Sequence, residues 1–264
     1  MNDIITGEIN KLLEKGVIVD SEAESEEVIS PIFLREKSDG THRMILNLKE
    51  LNKTVEFYHF KMETNHSVIK LIRQNDFMIK IDVKDAYYSI PIALRDQKFF
   101  KFEHLGKLYK YTALPNGFSP GHRKFTKAVK VPLSVLRKER ITIAAYIDDL
   151  ISINGHKGKC LKNVYRITEL FDQLGFVIHP DKSEFLPKQE IEYLGFIINS
   201  VNMTITLTPK KKSDLYALAV EIYNSEQIKI RKLAKLLGKI SSSFPATKFA
   251  KLFFPALERD KIKA

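Results

Sequence analysis

Apolar and polar positions follow two periods along the chain, which predicts a mixture of helices and strands. Apolar residues spaced three and four positions apart predict helices over residues 2–15, 121–138, 161–174 and 209–223, and another around 233–240. Short apolar runs bounded by turn residues predict strands in the segments VIVD, PIFLRE, HRMILNL, FMIKIDV, KLYKYTAL, ITIAAY, LISIN, FVIHP and EYLGFII. Because both hairpins and helices join these strands, we expect an α+β fold with an antiparallel central sheet.

Several details of this pattern are specific. The turn at 38–40 (Ser-Asp-Gly) is expected to close a hairpin, and Thr208 is expected to cap the helix that begins at Pro209. The inward face of the 161–174 helix is expected to consist of Leu161, Val164, Ile167, Leu170, Phe171 and Leu174. These expectations concern local structure alone.

Charge is distributed unevenly, with a formal net charge of +11. Residues 1–30 contain eight acidic residues and two lysines, whereas residues 203–264 contain thirteen basic and five acidic residues. A basic excess of this size favours a polyanionic partner, usually nucleic acid, although a lysine-rich surface also serves solubility alone. We expect the basic C-terminal part to be an all-helical, separate lobe. Lys232, Lys235 and Lys239 are expected to face a nucleic-acid duplex.

Other features of the composition narrow the class of protein. No apolar run approaches the roughly 20 residues of a membrane span, and the polar, acidic N-terminus does not resemble a signal peptide. Cys160 is the single cysteine, so no internal disulfide forms, which is typical of a reducing compartment. The seven histidines lack zinc-ligand spacing. We therefore expect an intracellular protein, cytoplasmic or nuclear, without a membrane partner.

Three carboxylates occupy places that suit the ends of apolar strands. Asp82 ends the strand MIKIDV, and Asp148 and Asp149 lie at a hairpin tip between ITIAAY and LISIN. If the two strand ends are neighbours in one sheet, these carboxylates converge and repel one another. Divalent cations remove that conflict, and Mg²⁺ prefers oxygen ligands of this kind. The alternatives are that the Asp148–Asp149 pair only favours the turn and that Asp82 only caps a helix.

The residues around these carboxylates resemble the motifs of reverse transcriptases. YIDD at 146–149 resembles the Tyr-x-Asp-Asp box, and IDVKDAYYSIPI resembles the first catalytic motif of that family. LPNGFSPGHRKFTK is similar to the motif between the two, and GFVIHPDKSEF to the lysine motif that follows. EYLGFII resembles the primer-gripping hairpin, and SPIFLREKSDGTHRMILNLKELNK the fingers hairpin. The six motifs occur in the order of the family and span nearly the whole chain.

The resemblance implies a right-hand polymerase fold whose palm contains an antiparallel ferredoxin-like sheet. It implies fingers over residues 1–56 and 90–120, a palm over 57–89 and 121–202, and a partial thumb over 203–264. The implied activity is RNA-directed DNA polymerisation, a nucleotidyl transfer from a dNTP to a primer 3′-hydroxyl, with an RNA and DNA primer–template as partner. The subtype it most resembles is the DIRS-like tyrosine-recombinase retrotransposon, followed by the LTR and retroviral type. The alternatives are a catalytically decayed fragment that only binds nucleic acid and an RNA polymerase of the same palm architecture.

The resemblance also implies roles for individual residues. Two Mg²⁺ ions, or Mn²⁺ as a substitute, would be held by the side chains of Asp82, Asp148 and Asp149 and by the backbone carbonyl of Val83. Lys182 would protonate the leaving pyrophosphate. The residues implied to bind the nucleotide are Lys37, Arg43, Asp85, Ala86, Tyr87, Asn116 and Gly117.

Three of these roles carry further detail from the resemblance. The ring of Tyr87 would exclude a ribose 2′-hydroxyl, and Asn116 departs from the Gln or Phe usual in the family. Arg35 is the alternative to Lys37, because the comparison there needs a one-residue gap. The primer terminus would be held by Tyr193, Leu194 and Gly195.

Overall fold

The computed structural model of the protein describes residues 2–36, 40–56 and 58–263. The α-helices are α1 (Asn2–Glu14), α2 (Lys49–Thr54), α3 (Asn65–Ile69), α4 (Gly121–Lys138), α5 (Lys157–Gln173), α6 (Pro209–Tyr223), α7 (Ile230–Ser242) and α8 (Ala250–Lys263). The strands are β1 (Ile18–Ser21), β2 (Ile32–Glu36), β3 (His42–Leu46), β4 (Phe77–Asp82), β5 (Lys101–His104), β6 (Lys107–Tyr111), β7 (Thr142–Tyr146), β8 (Asp149–Asn154), β9 (Glu184–Lys188), β10 (Glu190–Tyr193), β11 (Phe196–Asn199) and β12 (Thr204–Leu207). Short 3₁₀ helices cover Ala86–Ser89, Leu94–Phe99, Pro180–Lys182 and Phe244–Ala246.

The chain divides into two compact units. The first contains Met1–Met62, Val83–Val135 and Thr168–His179, and the second contains Glu63–Asp82, Leu136–Ile167 and Pro180–Ala264. Helices α4 and α5 run from one unit into the other. These bounds differ from the predicted fingers, palm and thumb, whose boundaries stay a prediction.

The first unit contains helix α1 and two antiparallel sheets, one of order β1-β6-β5 and one formed by β2 and β3. The β2–β3 ladder confirms the predicted hairpin strands, while residues 38 and 39 of the predicted turn lie outside the described residues. Helix α1 ends before Gly16, whose φ of +65° is the left-handed conformation that commonly terminates a helix. The core of this unit consists of Ile9, Leu12, Val17, Ile18, Met44, Leu46, Leu48, Ile92, Phe100, Phe102, Tyr109, Tyr111 and Leu114.

The second unit is built around a four-stranded antiparallel sheet of order β7-β8-β4-β9. In chain order the elements run β4, α4, β7, β8, α5 and β9, which is the ferredoxin-like arrangement. This confirms the expected antiparallel ferredoxin-like sheet. Helix α5 lies along the sheet, because the Asn163 amide donates to Ser152 Oγ (3.3 Å) and the buried Cys160 thiol donates to the Phe77 carbonyl (3.5 Å).

A smaller antiparallel sheet of order β10-β11-β12 packs against one face of the larger sheet. Met78 and Ile153 are register partners in β4 and β8, and Ile151 is two residues from Ile153 in the same strand. All three side chains therefore lie on that face. The buried residues of the joint core are Val68, Ile72, Met78, Ala144, Ile151, Ile153, Ile191, Tyr193, Phe196 and Ile198. The small sheet is therefore anchored by apolar packing to the strands that carry the acidic residues.

The C-terminal part differs from the expectation in two respects. Residues 204–207 form β12 rather than a helix, and the segment belongs to the second unit rather than to a unit of its own. Thr208 caps α6 as predicted, accepting from the Lys211 backbone N–H (3.4 Å). Helix α8 was not predicted.

Two lysines on the basic face of α7 pair with carboxylates, and the predicted contact of this face with a duplex stays a prediction. Lys232 forms an ion pair with Glu221, and Lys239 forms one with Asp214 (3.4 Å), so these two lysines are not free. The carboxylates belong to α6, which packs beside α7 and supplies opposite charge. The apolar positions Leu236 and Leu237 are buried as predicted.

Two further differences lie near α5. Residues 176–180 do not form the predicted strand, since Ile178 makes only an isolated bridge with Val83 while Phe176 packs edge-on against Phe125. The buried stripe of α5 includes Val164, Ile167 and Phe171, but Leu161 and Leu174 are 38% and 50% exposed. The predicted face was too wide by these two residues, and Leu174 lies beyond the end of α5 at Gln173. Among the described residues, none of the helices is both long and apolar enough to span a bilayer.

A buried lysine anchors the acidic N-terminal segment to β5. The Lys101 side chain is 0% exposed, and its Nζ lies 2.8 Å from Glu24 Oε1 and 2.6 Å from Glu27 Oε2. Nζ also donates to the Glu22 carbonyl (2.7 Å). Burial acts to lower the pKa of Lys101, but the hydrogen bonds to Glu24 and Glu27 outweigh it and the pKa is raised. The lysine is therefore charged and paired at neutral pH.

We expect Lys101→Met to lower the free energy of unfolding by about 2 kcal/mol, because it leaves two carboxylates without their buried partner. The control is Lys98→Met, since Lys98 pairs with Glu26, whose side chain is 83% exposed, and should cost less than ~1 kcal/mol. The Lys101 hydrogen bond lowers the pKa of Glu27, so the stability it gives is lost as pH falls through that depressed pKa. Urea unfolding at several pH values measures both effects, and equal losses for the two variants at neutral pH would exclude a structural role for the buried pair.

Candidate active site

The hairpin of β7 and β8 presents the acidic pair at a strained turn. Tyr146 and Asp149 are register partners, so Ile147 and Asp148 form the two-residue turn between the strands. Ile147 has a φ of +55°, which is a rare conformation for a β-branched residue and costs on the order of 1–3 kcal/mol. Strain of this kind persists only where the surrounding structure enforces it. Here the turn joins the edge strand β7 to the interior strand β8.

Asp82 lies directly across the ladder from Asp149. The two residues are register partners of the antiparallel strands β4 and β8, so their side chains emerge on the same face. Directly opposite Cβ atoms in such ladders are about 4.5–5.5 Å apart. The Asp82 N–H donates to Ser183 Oγ (3.0 Å), which fixes the end of β4. The predicted convergence of Asp82 with the hairpin is therefore present in the fold.

Burial and the charges of the other two carboxylates all act on the pKa of Asp149. Burial raises the pKa of Asp149 to about 6, and the charges of Asp148 and Asp82 add to the rise. Lys80 and Lys182 act in the opposite direction on the same pKa. Lys182 thus lies within electrostatic reach of the carboxylates, at the end of an exposed 3₁₀ turn.

The donor set fits divalent cations in its chemistry. Within residues 2–36, 40–56 and 58–263, no group of three His, Cys or acidic side chains is already arranged around a common point. Burial first, and then the charges of Asp148 and Asp82, raise the pKa of Asp149, and a bound cation would relieve both effects. Carboxylate oxygens are hard ligands suited to Mg²⁺. Asp82, Asp148 and Asp149 are thus the residues of the second unit that would hold such ions.

The predicted primer hairpin is joined to the carboxylate strand. Tyr193 is 0% exposed, and its hydroxyl donates to the Asp149 carbonyl (3.0 Å). A side chain buried in this way fixes the hairpin, while the role of Tyr193 toward a primer stays a prediction. Leu194 and Gly195 form the turn of β10 and β11 and are half-buried, so they are the part of the hairpin that remains accessible.

In the first unit, Asp85 begins a short turn that orients the residues after β4. Its φ is +51°, and its carboxylate forms an ion pair with Lys15 at the end of α1 (2.6 Å). Ala86, the next residue, is buried. Val83 is also buried, and it makes an isolated bridge with Ile178. The Asp85 backbone is therefore held by a specific charge contact.

Tyr87 is held on two sides within the first unit. Its ring packs edge-on against His122 (centroids 5.4 Å apart) and Phe125 (5.7 Å). Its hydroxyl also forms a hydrogen bond with His122 Nδ1. The ring is therefore restrained, as a steric gate requires.

The fingers hairpin places two arginines opposite each other. Arg35 and Arg43 are register partners on β2 and β3, and both are exposed. Like charges directly opposite in a ladder repel, and a bound anion would offset that repulsion. Lys37, the other predicted phosphate ligand, lies outside the described residues. Arg35 is placed beside Arg43 by the ladder, and the choice between Lys37 and Arg35 stays a prediction.

Asn116 and Gly117 lie in a loop that forms hydrogen bonds with Asn52 of α2. Gly117 has a φ of +96°, which favours glycine, and its carbonyl accepts from the Asn52 amide (2.9 Å). Asn52 Oδ1 also accepts from the Ser119 N–H (2.9 Å). The Asn116 amide makes a long hydrogen bond to the Tyr88 hydroxyl (3.5 Å). Asn116 is therefore directed at a neighbouring aromatic residue in this conformation.

The residues that hold the predicted site residues in place were not predicted from the sequence. Ser183, Lys15, His122 and Asn52 hold predicted site residues in place. Ser183, His122 and Asn52 lie within the recognised motifs, but no role was predicted for them or for Lys15. Each acts across a long sequence separation, so no local pattern identifies it. From the sequence, Lys15 and Ser183 could be recognised only as polar residues.

Comparison with known proteins places these residues in a family. The model of the family described as reverse transcriptase (RNA-dependent DNA polymerase) matches residues 35–198. The Pro-Pol polyprotein of Simian foamy virus type 1 is 28% identical over 204 residues, covering 77% of this chain and 17% of that polyprotein. The Transposon Tf2-3 polyprotein of Schizosaccharomyces pombe is 24% identical over 204 residues, covering 77% and 15%. The chain therefore spans less than a fifth of the length of these relatives.

Solved structures share the fold. The foamy viral protease-reverse transcriptase dRH in complex with ds DNA superposes with a TM-score of 0.83 at 23% identity, covering 99% of this chain and 44% of that one. The foamy viral protease-reverse transcriptase in complex with RNA/DNA hybrid gives 0.80 at 23%, covering 100% and 33%. At such identity the likeness shows the fold, and it confirms the expected polymerase architecture.

We expect Asp149→Asn to stabilise the metal-free protein at neutral pH. The raised pKa means that the folded state binds a proton more tightly than the unfolded state, whose Asp149 has the ordinary pKa of 3.8. Stability therefore falls as pH rises from about 4 to 6, and the ionised carboxylate costs on the order of 1–2 kcal/mol after screening. The Tm of the variant in EDTA should exceed that of the wild type at pH 7.5 and match it near pH 4. A lower Tm at pH 7.5 would contradict the repulsion among the three carboxylates.

Proposed function

The chain belongs to the reverse transcriptase family, and on that premise we propose that it is an RNA-directed DNA polymerase. The proposed reaction transfers a nucleotidyl group from a dNTP to a primer 3′-hydroxyl. The observation that carries the proposal is the placement of Asp82 opposite Asp149, with Asp148 in the adjoining strained turn. A cluster of like charges that lowers stability is difficult to explain unless it serves chemistry.

The carboxylates are proposed to hold the metal ions. Asp82, Asp148 and Asp149, with the backbone carbonyl of Val83, supply oxygen ligands. When bound, two Mg²⁺ ions, or Mn²⁺ in their place, lower the pKa of the primer hydroxyl and stabilise charge on the pyrophosphate. Lys182 is proposed to give its proton to the leaving pyrophosphate, since it already acts electrostatically on Asp149.

Residues of the first unit are proposed to bind the dNTP. Arg43 and Lys37, or Arg35 in place of Lys37, would bind the β- and γ-phosphates; Arg43 and Arg35 are exposed register partners, and guanidinium groups suit such anions. The amides of Asp85 and Ala86 would meet the triphosphate, and Tyr87 would exclude the 2′-hydroxyl. Asn116 and Gly117 would lie beside the nascent pair.

The proposed partner is an RNA and DNA primer–template. Several relatives are polyproteins of retroviruses and a transposon, and the solved structures contain foamy viral enzymes with dsDNA or an RNA/DNA hybrid. We propose that the source is a retroelement, with the DIRS-like type the subtype whose motifs it most resembles. Tyr193, Leu194 and Gly195 would hold the primer terminus, with Leu194 and Gly195 as the accessible part. An intracellular location stays a prediction.

We expect Asp148→Asn to abolish primer extension by the purified protein on an RNA template with dNTPs and Mg²⁺. The change removes a metal ligand but little packing, because Asp148 lies in a partly exposed turn, so Tm and duplex binding should change little. The control is Asp20→Asn, the same chemical change on the exposed side of β1. Retention of most activity by Asp148→Asn would refute the assignment. Duplex binding without any extension by the wild type would instead favour a decayed copy.

We expect Tyr87→Ala and Tyr87→Val to admit ribonucleotides. Removing the ring opens the space that a 2′-hydroxyl needs, so the preference for dNTP over rNTP should fall by about tenfold or more, equivalent to ~1.4 kcal/mol. The matched control is Tyr165→Ala, because the Tyr165 side chain is exposed on α5. The measurement is the ratio of kcat/KM for the two nucleotides, and an unchanged ratio would remove Tyr87 as the sugar gate.

A further inference from the structure

The first turn of α6 reaches the turn of the primer hairpin through one lysine. Lys211 Nζ donates to the Leu194 carbonyl (3.1 Å). The same ammonium lies over the Phe196 ring, 4.5 Å from its centroid. Lys211 is thus in contact with residues on both sides of Gly195. Its neighbours Lys210 and Lys212 are exposed instead.

Gly195 is the residue that makes room for this lysine. A Cβ built on Gly195 would lie 2.6 Å from Lys211 Nζ and closer still to its Cε. No side chain at position 195 fits while Lys211 keeps this position. The φ of Gly195, +74°, independently favours glycine. The glycine and the lysine therefore form a matched pair.

The hairpin turn needs outside support because it is strained. Leu194 and Gly195 both have positive φ, +50° and +74°, as a two-residue turn of type I′ requires. Leucine is unfavourable at such a position, where Asn, Asp and Gly are preferred. The hydrogen bond from Lys211 falls on the carbonyl of this leucine and stabilises its conformation.

An ammonium group is retained here although the surroundings disfavour it. Burial lowers the pKa of Lys211, and only the charge of Glu192 acts against that effect. An apolar side chain would fill the space over Phe196 without this cost. The hydrogen-bond donor of Lys211, and not only the bulk of its side chain, is therefore important at this position.

We propose that Lys211 is a positioning residue that fixes the Leu194–Gly195 turn so that the primer 3′-hydroxyl is presented correctly to the carboxylates. The inference rests on the proposed function. Directly before this turn, the Tyr193 hydroxyl also holds the hairpin, because it donates to the Asp149 carbonyl. The lysine and the tyrosine together fix the turn relative to Asp149. A displacement of about 1 Å at the reacting atoms can lower a rate by about a hundredfold.

The test separates positioning from a simple phosphate contact. In Lys211→Ala, positioning predicts that kcat at saturating primer–template falls about 10- to 100-fold while the Kd for duplex changes less than about threefold. A phosphate contact predicts the reverse, with a raised Kd, a shallower salt dependence and an unchanged kcat. The control is Lys212→Ala, the adjacent exposed lysine. Lys211→Met, which keeps the stem over Phe196 and removes the donor, should reproduce the kcat loss if the Ala variant folds poorly.

A double-mutant cycle tests the pairing with Gly195. Gly195→Ala alone should lower kcat at least about tenfold, because its methyl group displaces Lys211. The Lys211→Ala and Gly195→Ala double variant should be no worse than the poorer single variant, since the methyl group then has room. Multiplicative losses would overturn the inference.

A measurement without catalysis keeps this inference distinct from the proposed function. Amide exchange at residues 194–197 should be about tenfold faster in Lys211→Ala than in the wild type, with no change in Lys212→Ala. If the wild type does not extend a primer, the proposed function fails, while the exchange experiment still decides whether Lys211 fixes the turn. Equal exchange in Lys211→Ala and the wild type would falsify that role.

Discussion

The structure of the second unit depends on a hydrogen-bond register that forces like charges together. The ladder between β4 and β8 pairs Asp82 with Asp149, and a shift of one residue would turn every side chain of a strand to the other face. Burial of Ile151, Ile153 and Met78 on the carboxylate side prevents such a shift. The apolar core therefore maintains an arrangement of acidic groups that would be unstable by itself.

Several features act together to hold this arrangement at the sheet end. The strained Ile147 turn, the Ser183 contact and the buried Tyr193 each restrain the backbone around the carboxylates rather than their oxygen atoms. Lys80 and Lys182 reduce the repulsion without neutralising it. The backbone is thus fixed before any ligand binds, which is the physical meaning of preorganisation.

Sequence reasoning succeeded where the signal is local. The period of apolar residues gave helix α4 at its observed bounds despite Pro132, and Thr208 marked the start of α6. The carboxylates and Tyr87 were found because their motifs are contiguous. Their roles in binding and catalysis stay predictions, since geometry alone does not measure chemistry.

Reasoning from the sequence failed where tertiary contacts decide. The FVIHP segment has strand composition, yet Phe176 packs in an aromatic cluster instead of a ladder. The pairing of Lys232 and Lys239 with carboxylates of α6 also depends on tertiary contacts, while the predicted nucleic-acid face stays a prediction. The buried place of Tyr193 and the contact of Lys211 with Leu194 depend on segments that meet only after folding.

The burial of Cys160 also depends on tertiary contacts, and it has a practical consequence. Burial raises the pKa of this thiol to about 11, so little reactive thiolate forms at neutral pH. A cysteine introduced at an exposed position such as Leu105, which is 70% exposed, would then be the thiol that a maleimide fluorophore labels selectively. The native protein thus serves as its own background for site-specific spectroscopy, without prior removal of Cys160.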